Sequence, residues 1–329
     1  MRNTPSPAPR RRVLLGGLAA AALPGLARSQ PRFPDKPIQL LVPFGPGGIA
    51  DITARAVAEV MSQRLGQPIV VDNRPSAGSI VASQAVATAR HDGHTLLLMS
   101  NGNAVSVGLF KKLPYDALKG FAPISTLGYF DVGLFVPANS RFATLKDLLA
   151  VARANPGKLN VGTIAVGSTQ QLAAKLFETV AGVDLLVVPY KGSPAVLTAL
   201  RAGEVDLAFE ILGPMIAQVQ AGTVKVLAVS SDRRNPALPE VPTVIQAGVP
   251  GYNVASWNAL AAPAGTPAEV VEILNRAARE AVATPAVKDK LARLGVRVAA
   301  STPAELQSLL GSEIQRWGEV IRAAKIEPE

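Results

Sequence analysis

Short apolar runs that read as strands alternate with stretches of helical apolar spacing from Ile38 almost to Ser231. A chain patterned this way has to cover both faces of its strands with helices, which predicts an α/β fold around a mainly parallel sheet. The strand candidates "IQLLVP", "PIVVD" and "TLLLM" enclose "DITARAVAEVMSQRLG", a helix expected to stop at Gly66. After the β-rich "FAPISTLGYFDVGLFVPANS" the winding restarts near Phe130. A capping box at Thr144 and Asp147 opens a helix there, and "LNVGT", "VDLLVVP", "VDLAFE" and "VKVLAVSS" supply further strands. From Tyr252, "YNVASWNALAAP" leads into helices alone, a tail expected to return to the first half. Its three Thr-Pro-Ala starts, at Thr266, Thr284 and Thr302, fit an N-cap threonine followed by a first-turn proline, so their equal spacing needs no repeat.

The N-terminus carries a different pattern. Arg10, Arg11 and Arg12 precede an uncharged apolar run from Val13 to Leu23, and small residues surround Ala27 and Ser29. This predicts an export signal over residues 1–29, cleaved near Ser29 so that Gln30 begins the mature protein, and hence a periplasmic location. The run is too short to span a bilayer. The paired arginines are twin-arginine-like, and Sec export stays open beside that pathway. The signal also holds much of the formal +9 charge, because its five arginines are unopposed and leave 28 basic against 24 acidic residues. The rest of the Lys and Arg are scattered, without a basic run or interleaved aromatics, so no nucleic-acid partner is expected. No cysteine occurs, which excludes disulfides, thiolate metal sites and a cysteine nucleophile.

Three turns stand where a strand hands over to a helix: Gly45-Pro46-Gly47-Gly48, Gly167-Ser168-Thr169, and Tyr190-Lys191-Gly192-Ser193-Pro194, in which Ser193 is suited to cap a helix. A helix N-terminus presents free N–H groups and a positive dipole end, and glycine lets a ligand approach the backbone. Turns of this kind suit anions, and two halves facing each other could hold one acidic molecule between them. Gly45, Gly47 and Ala50 also spell a dinucleotide fingerprint, with Asp72 about twenty residues on, so an exported dinucleotide-dependent oxidoreductase is the alternative reading. Other catalytic arrangements are poorly supported. His91 and His94 share the exposed-looking turn "RHDGHT", Ser168 has no assignable base and reads as a cap, and Asp51 is expected to bind backbone N–H groups of its own helical turn.

The ordered series "VPFGPGGIADITAR", "LGQPIVVDNRPSAGS", "HDGHTLLL", "GFAPISTLG", "VGSTQQLAAKLF", "VPYKGSPAVLTALRAGEVDLAFE", "VKVLAVSS", "LPEVPTVIQAGVPGY" and "APAGTP" resembles the solute-binding proteins of tripartite tricarboxylate transporters, the Bug family. The resemblance runs from Phe33 to Ile326. It implies a two-domain type II periplasmic-binding-protein fold with a ligand cleft between the domains: domain I from 30–129 plus 254–329, and domain II from 130–253. It places Phe44, Pro46, Gly47, Gly48, Ala50 and Asp51 on one side of a carboxylate ligand, with Ser76, Gly78 and Asn101 nearby. Gly167, Ser168, Thr169, Gln171, Tyr190, Gly192 and Glu210 are expected opposite. The sequence departs from the family's usual pattern in three places. Gln171 stands for a histidine, Glu210 for an aspartate, and the 191–194 turn is one residue shorter.

The function these readings imply is a non-enzymatic receptor without cofactor or metal. It would capture a small carboxylate and deliver it, as a monomer, to the membrane subunits of a tripartite tricarboxylate-type transporter. A ligand-sensing partner of a signalling receptor is the remaining alternative.

Overall fold

One strand is far longer than the five or six residues usual in globular proteins. The computed structural model describes residues 1–4, 33–164 and 168–328. The long strand, β4 (Phe121–Pro137), is the joint of the unit Phe33–Glu329. Before it come β1 (Ile38–Val42), α1 (Ile49–Leu65), β2 (Ile69–Asn73), a single 3₁₀ turn at Ala77–Ser79, α2 (Ile80–Ala87), β3 (Thr95–Ser100) and α3 (Asn101–Leu109). After it follow α4 (Leu145–Ala154), β5 (Asn160–Ile164), α5 (Thr169–Ala181), β6 (Leu186–Tyr190), α6 (Ser193–Ala202), β7 (Leu207–Ile211), α7 (Leu212–Gln220) and β8 (Val224–Val229). The chain closes with β9 (Ala255–Pro263), α8 (Ala268–Ala283), α9 (Pro285–Ala292), β10 (Val296–Val298) and α10 (Pro303–Ala323).

The sheet order is β2-β1-β3-β9-β4-β7-β5-β6, with β8 and β10 also on β4. β1 runs parallel to β2 and β3, and β5 parallel to β6 and β7, as expected where helices make the crossovers. β4 pairs antiparallel with β9 from Phe121 to Asp131, then with β7 from Val132 to Phe135 and with β8 from Gly133 to Pro137. It therefore leaves one sheet section and enters the other between Asp131 and Val132. Ser230, fully buried, secures that passage. Its N–H donates to the Val132 carbonyl at 2.8 Å, and its hydroxyl accepts from Val132 N at 3.0 Å and donates to the Val254 carbonyl. Val254 N returns a bond to the Ser230 carbonyl, so the segment leading to β9 crosses beside β4.

Burial is deepest around β4 and its neighbours, where Trp257, Phe177, Phe209 and Tyr252 are fully enclosed. Phe177 meets Tyr252 edge-on at 5.6 Å, and the Tyr252 hydroxyl donates to the Ala173 carbonyl at 3.0 Å. A charge lies in the same interior. Asp131 is 0% exposed and accepts from Asn235 Nδ2 at 2.7 Å and from Arg297 Nη2 at 3.3 Å. Such a carboxylate is tolerated only while its donors remain in place.

Several local expectations are corrected. The tail contains a strand, β10, whose three residues pair with Gly128–Phe130 of β4 and are too short for a periodic signal. Of the three Thr-Pro-Ala starts only Thr302 caps with its side chain. The Thr266 hydroxyl turns to the Pro263 carbonyl and the Thr284 hydroxyl to the Ala281 carbonyl. Gly192, not Ser193, holds the N-cap of α6, because its extended backbone sets the helix entry one residue earlier. His94 is buried rather than exposed. It packs against Phe33 at 4.8 Å between the Asp35 and Asp92 carboxylates, at 3.1 and 3.3 Å. The boxes at Thr144–Asp147 and the stop at Gly66 form as expected, the latter with left-handed φ of 70°.

Asp131→Ala is expected to lower the unfolding free energy by about 3 kcal/mol, since it leaves the mostly buried Arg297 charge without its carboxylate and takes one of two acceptors from the Asn235 amide. A urea melt with an unchanged midpoint would show that this pair does not hold the joint.

Candidate functional site

The first strand-to-helix turn is braced from inside by Asp51. Gly47 adopts φ of 81°, which points its N–H at Asp51 Oδ2 at 2.9 Å. The same carboxylate accepts from Arg55 Nε at 3.0 and 3.1 Å and from Asn73 Nδ2 at 2.9 Å. Burial pushes the Asp51 carboxyl up, but the bonds from Arg55, Gly47 and Asn73 together hold it below its ordinary value. Asn73 also donates to the Phe44 carbonyl at 3.0 Å, so the end of β2 clamps the turn after β1. What this leaves outward is the helix end itself. The N–H groups of Gly48, Ile49 and Ala50 have no partner among the described residues, and Pro46, Gly47 and Gly48 are exposed beside Phe44.

The second turn, at Ser76 and Gly78, folds against α3. The Ser76 hydroxyl accepts from Val81 N at 3.0 Å, and Gly78 offers its carbonyl to Ser106 Oγ at 2.6 Å. Gly78 has a structural reason to be glycine: its φ is 58°, and a Cβ there would lie 2.5 Å from the Phe110 ring.

Asn101 opens α3 and is completely buried. Its Nδ2 donates to Thr169 Oγ1 at 3.1 Å, across 68 residues of sequence, bringing the N-terminus of α3 to that of α5. Ser168 caps α5. Its hydroxyl accepts from Gln171 N at 3.1 Å and donates to the Ile164 carbonyl at 2.9 Å, which occupies it as a structural group. Gly167 lies outside the described residues, as do Arg10, Arg11, Arg12 and the cleavage positions near Ser29. Gln171 stands half-buried on the first turn of α5. A second approach of the two sheet sections occurs at α7, where a Cβ on Gly213 would lie 3.1 Å from Ile49 Cδ1 on the first residue of α1.

Glu210 does not line an open surface. It is 0% exposed, its Oε1 accepts from Gln170 Nε2 at 2.8 Å and Ile211 N at 2.7 Å, and its Oε2 has no hydrogen-bond partner. Burial pushes its carboxyl up against the pull of Gln170, Ile211 and Ser193. Tyr190 ends β6 half-buried, its phenol raised by burial and by Glu204, and Gly192 leads into α6. Asp72 is held by Gln39 Nε2 at 3.0 Å and Arg74 Nε at 2.9 Å on the β2 face. No cluster of three or more metal-ligating side chains occurs among the described residues.

Asn73, Arg55 and Gln170 make these contacts, Ser256 Oγ lies 3.5 Å from Thr169 Oγ1, and Trp317 Nε1 donates to Asn101 Oδ1 at 2.8 Å; none of the five was among the expected site residues. Arg55 was findable, standing four residues after Asp51 on one helix face, and Asn73 ends a strand candidate. The others are brought in by the tertiary fold. Chemically, the gathered helix ends and the Asn101 amide offer hydrogen-bond donors, the complement of a carboxylate.

A sequence profile described as the tripartite tricarboxylate transporter family receptor matches residues 53–326. The chain is 40% identical to a protein of the tcbD-tcbE intergenic region of Pseudomonas sp. strain P51, over 94% of each chain. Among solved structures it is similar to the periplasmic binding protein BugD, with TM-score 0.80 and 30% identity over 90% of this chain and 100% of that one. It is also similar to R. palustris Rpa4515 with adipate, with TM-score 0.82 and 34% identity over 90% and 100%.

Glu210 yields a pH signature. Because its folded pKa is raised above 4.5, its stabilising contribution is complete below that value and is lost as pH rises through the folded pKa. Glu210→Gln should therefore flatten thermal stability against pH above the ordinary glutamate value, gaining on wild type as pH rises through the folded pKa. Parallel melting profiles for the two proteins would contradict this account of the buried carboxyl.

Proposed function

The chain belongs to the tripartite tricarboxylate transporter receptor family, and on that premise we propose that it is an exported, periplasmic receptor for a small carboxylate. The observation that carries the reading is the Asn101–Thr169 bond, which joins the donor-rich ends of α3 and α5 from opposite sheet sections. The ligand would lie between the α1 and α3 ends on one side and the α5 and α6 ends on the other. It would be held by backbone N–H groups and by amide and hydroxyl side chains. Residues 30–129 with 254–329 would form one lobe and residues 130–253 the other, closing about the crossing segments at Val132 and Ser230. The loaded, closed form would then be delivered to membrane transporter subunits. No helix among the described residues is long and apolar enough to cross a membrane.

Two observations favour this reading over dinucleotide chemistry at the same glycines. Gly47 already spends its N–H on Asp51, and the Asp72 carboxylate is engaged by Gln39 and Arg74 rather than free for a ribose. The adipate held by the R. palustris relative supports an acid of comparable size as the ligand class.

Calorimetric titration of ligand-free protein with succinate, malate, adipate and citrate is expected to give saturable heat for at least one acid. Silence from all four would count against the receptor reading. Gly47→Val should weaken that acid at least about tenfold. Its stability cost should stay near about 1–2 kcal/mol, because a left-handed φ strains valine while no atom lies within 4 Å of the new Cβ. Wild-type affinity in the folded variant would remove the turn from the site.

A further inference from the structure

The last long helix reaches the candidate site through a side chain that no local pattern marks. Trp317 of α10 is fully buried, and its indole Nε1 donates to both Asn101 Oδ1 and Glu313 Oε2 at 2.8 Å. An indole nitrogen can only donate, so the atom of Asn101 that faces it has to be the carbonyl oxygen. The amide nitrogen is thereby turned toward α5, where one of its two hydrogens goes to Thr169 Oγ1. The second hydrogen has no acceptor among the described residues, although Asn101 is 0% exposed. Thr169 Oγ1 in turn lies 3.5 Å from Ser256 Oγ on β9.

Trp317 is itself fixed. Glu313, one turn earlier on the same face, shares its other oxygen with Arg316 Nη1 at 2.9 Å. The Arg316 guanidinium lies 5.1 Å from the Trp317 ring centroid and also grips the Asn253 carbonyl, just before β9. The helix therefore touches both Asn101 and the segment that crosses back between the sheet sections.

We infer that Trp317 is a positioning residue that locks Asn101 as a donor toward the gap between α3 and α5, so that this subsite takes an acceptor oxygen and prefers an ionised carboxylate, whose charge strengthens the bond, over a neutral carboxamide. The inference rests on the receptor reading and deepens it. A freely rotating asparagine could turn its oxygen to an amide's N–H or its nitrogen to a carboxylate, and would take acid or amide alike. An asparagine whose oxygen is held by an indole offers only N–H, which an ionised carboxylate accepts more strongly than a neutral amide carbonyl. Occupation of the spare N–H would also polarise the amide and strengthen the Trp317 bond, so that capture is felt in α10.

The test uses ¹⁵N-labelled full-length protein titrated with succinate, malate, adipate, citrate and the fully amidated form of each. The chain has two tryptophans. Trp257 Nε1 lacks a hydrogen-bond partner, so the doubly bonded Trp317 indole is expected as the downfield resonance. That resonance should move further downfield on saturation with the acid that gives calorimetric heat, and much less with its full amide. Trp317→Phe should raise the Kd of the acid at least about tenfold and that of the full amide by less, narrowing the preference. A purely structural role would weaken both equally. Binding heat with a stationary Trp317 resonance, or a folded Trp317→Phe protein that keeps the wild-type preference, would overturn the inference and leave the receptor reading standing. Absence of heat with every acid would overturn both. The resonance measurement needs only wild-type protein, so it decides the matter even if the variant fails to fold.

Discussion

The fold depends on a single strand having to serve two sheet sections. β4 carries β9 and β10 on its first part and β7 and β8 on its second, so its backbone is paired on both sides through the change of partners. A break at Asp131 or Val132 would leave unpaired backbone groups in the interior, which is among the costlier defects a protein can carry. Ser230 supplies the missing bonds there, and Asp131 ties the joint to Asn235 and Arg297. Because the joint is satisfied by hydrogen bonds rather than by bulk packing alone, the strand can change partners without exposing an edge.

From that constraint the placement of the helix ends follows. Strands on each side deliver α1, α3, α5 and α6 at their carboxyl ends, with positive dipole ends and free N–H groups. The protein handles that positive potential partly with its own acids. Asp51 braces α1 from beneath and is held ionised by three donors, whereas Glu210 is enclosed so completely that its carboxyl is driven upward. Each carboxyl has three donors, so it is the depth of burial, together with the Arg55 charge beside Asp51, that decides the sign of the shift.

Much of the architecture was legible from apolar spacing and from punctuation. The strand runs before β4, the helix stop at Gly66, and the caps at Thr144, Ser168 and Thr302 rest on short-range chemistry. The failures were also local in origin. Thr266 and Thr284 have the right neighbours to cap, yet each hydroxyl found a carbonyl behind it instead. β10 has three residues and exists because β4 offers an open edge, and His94 is covered because Phe33 folds over it.

By itself the sequence determined the class of fold, the order of its elements and the three turns able to face an anion, because periodicity, caps and glycines act within a few residues. The tertiary structure alone decided which turns meet. Asn101 reaches Thr169 across 68 positions and is oriented by Trp317 across 216. It also decided that Glu210 would be buried and that Asn73, from the end of β2, would join the Asp51 carboxylate. Those outcomes depend on where hydrogen-bond donors and solvent stand around a side chain once distant strands have paired, a property no window of sequence contains.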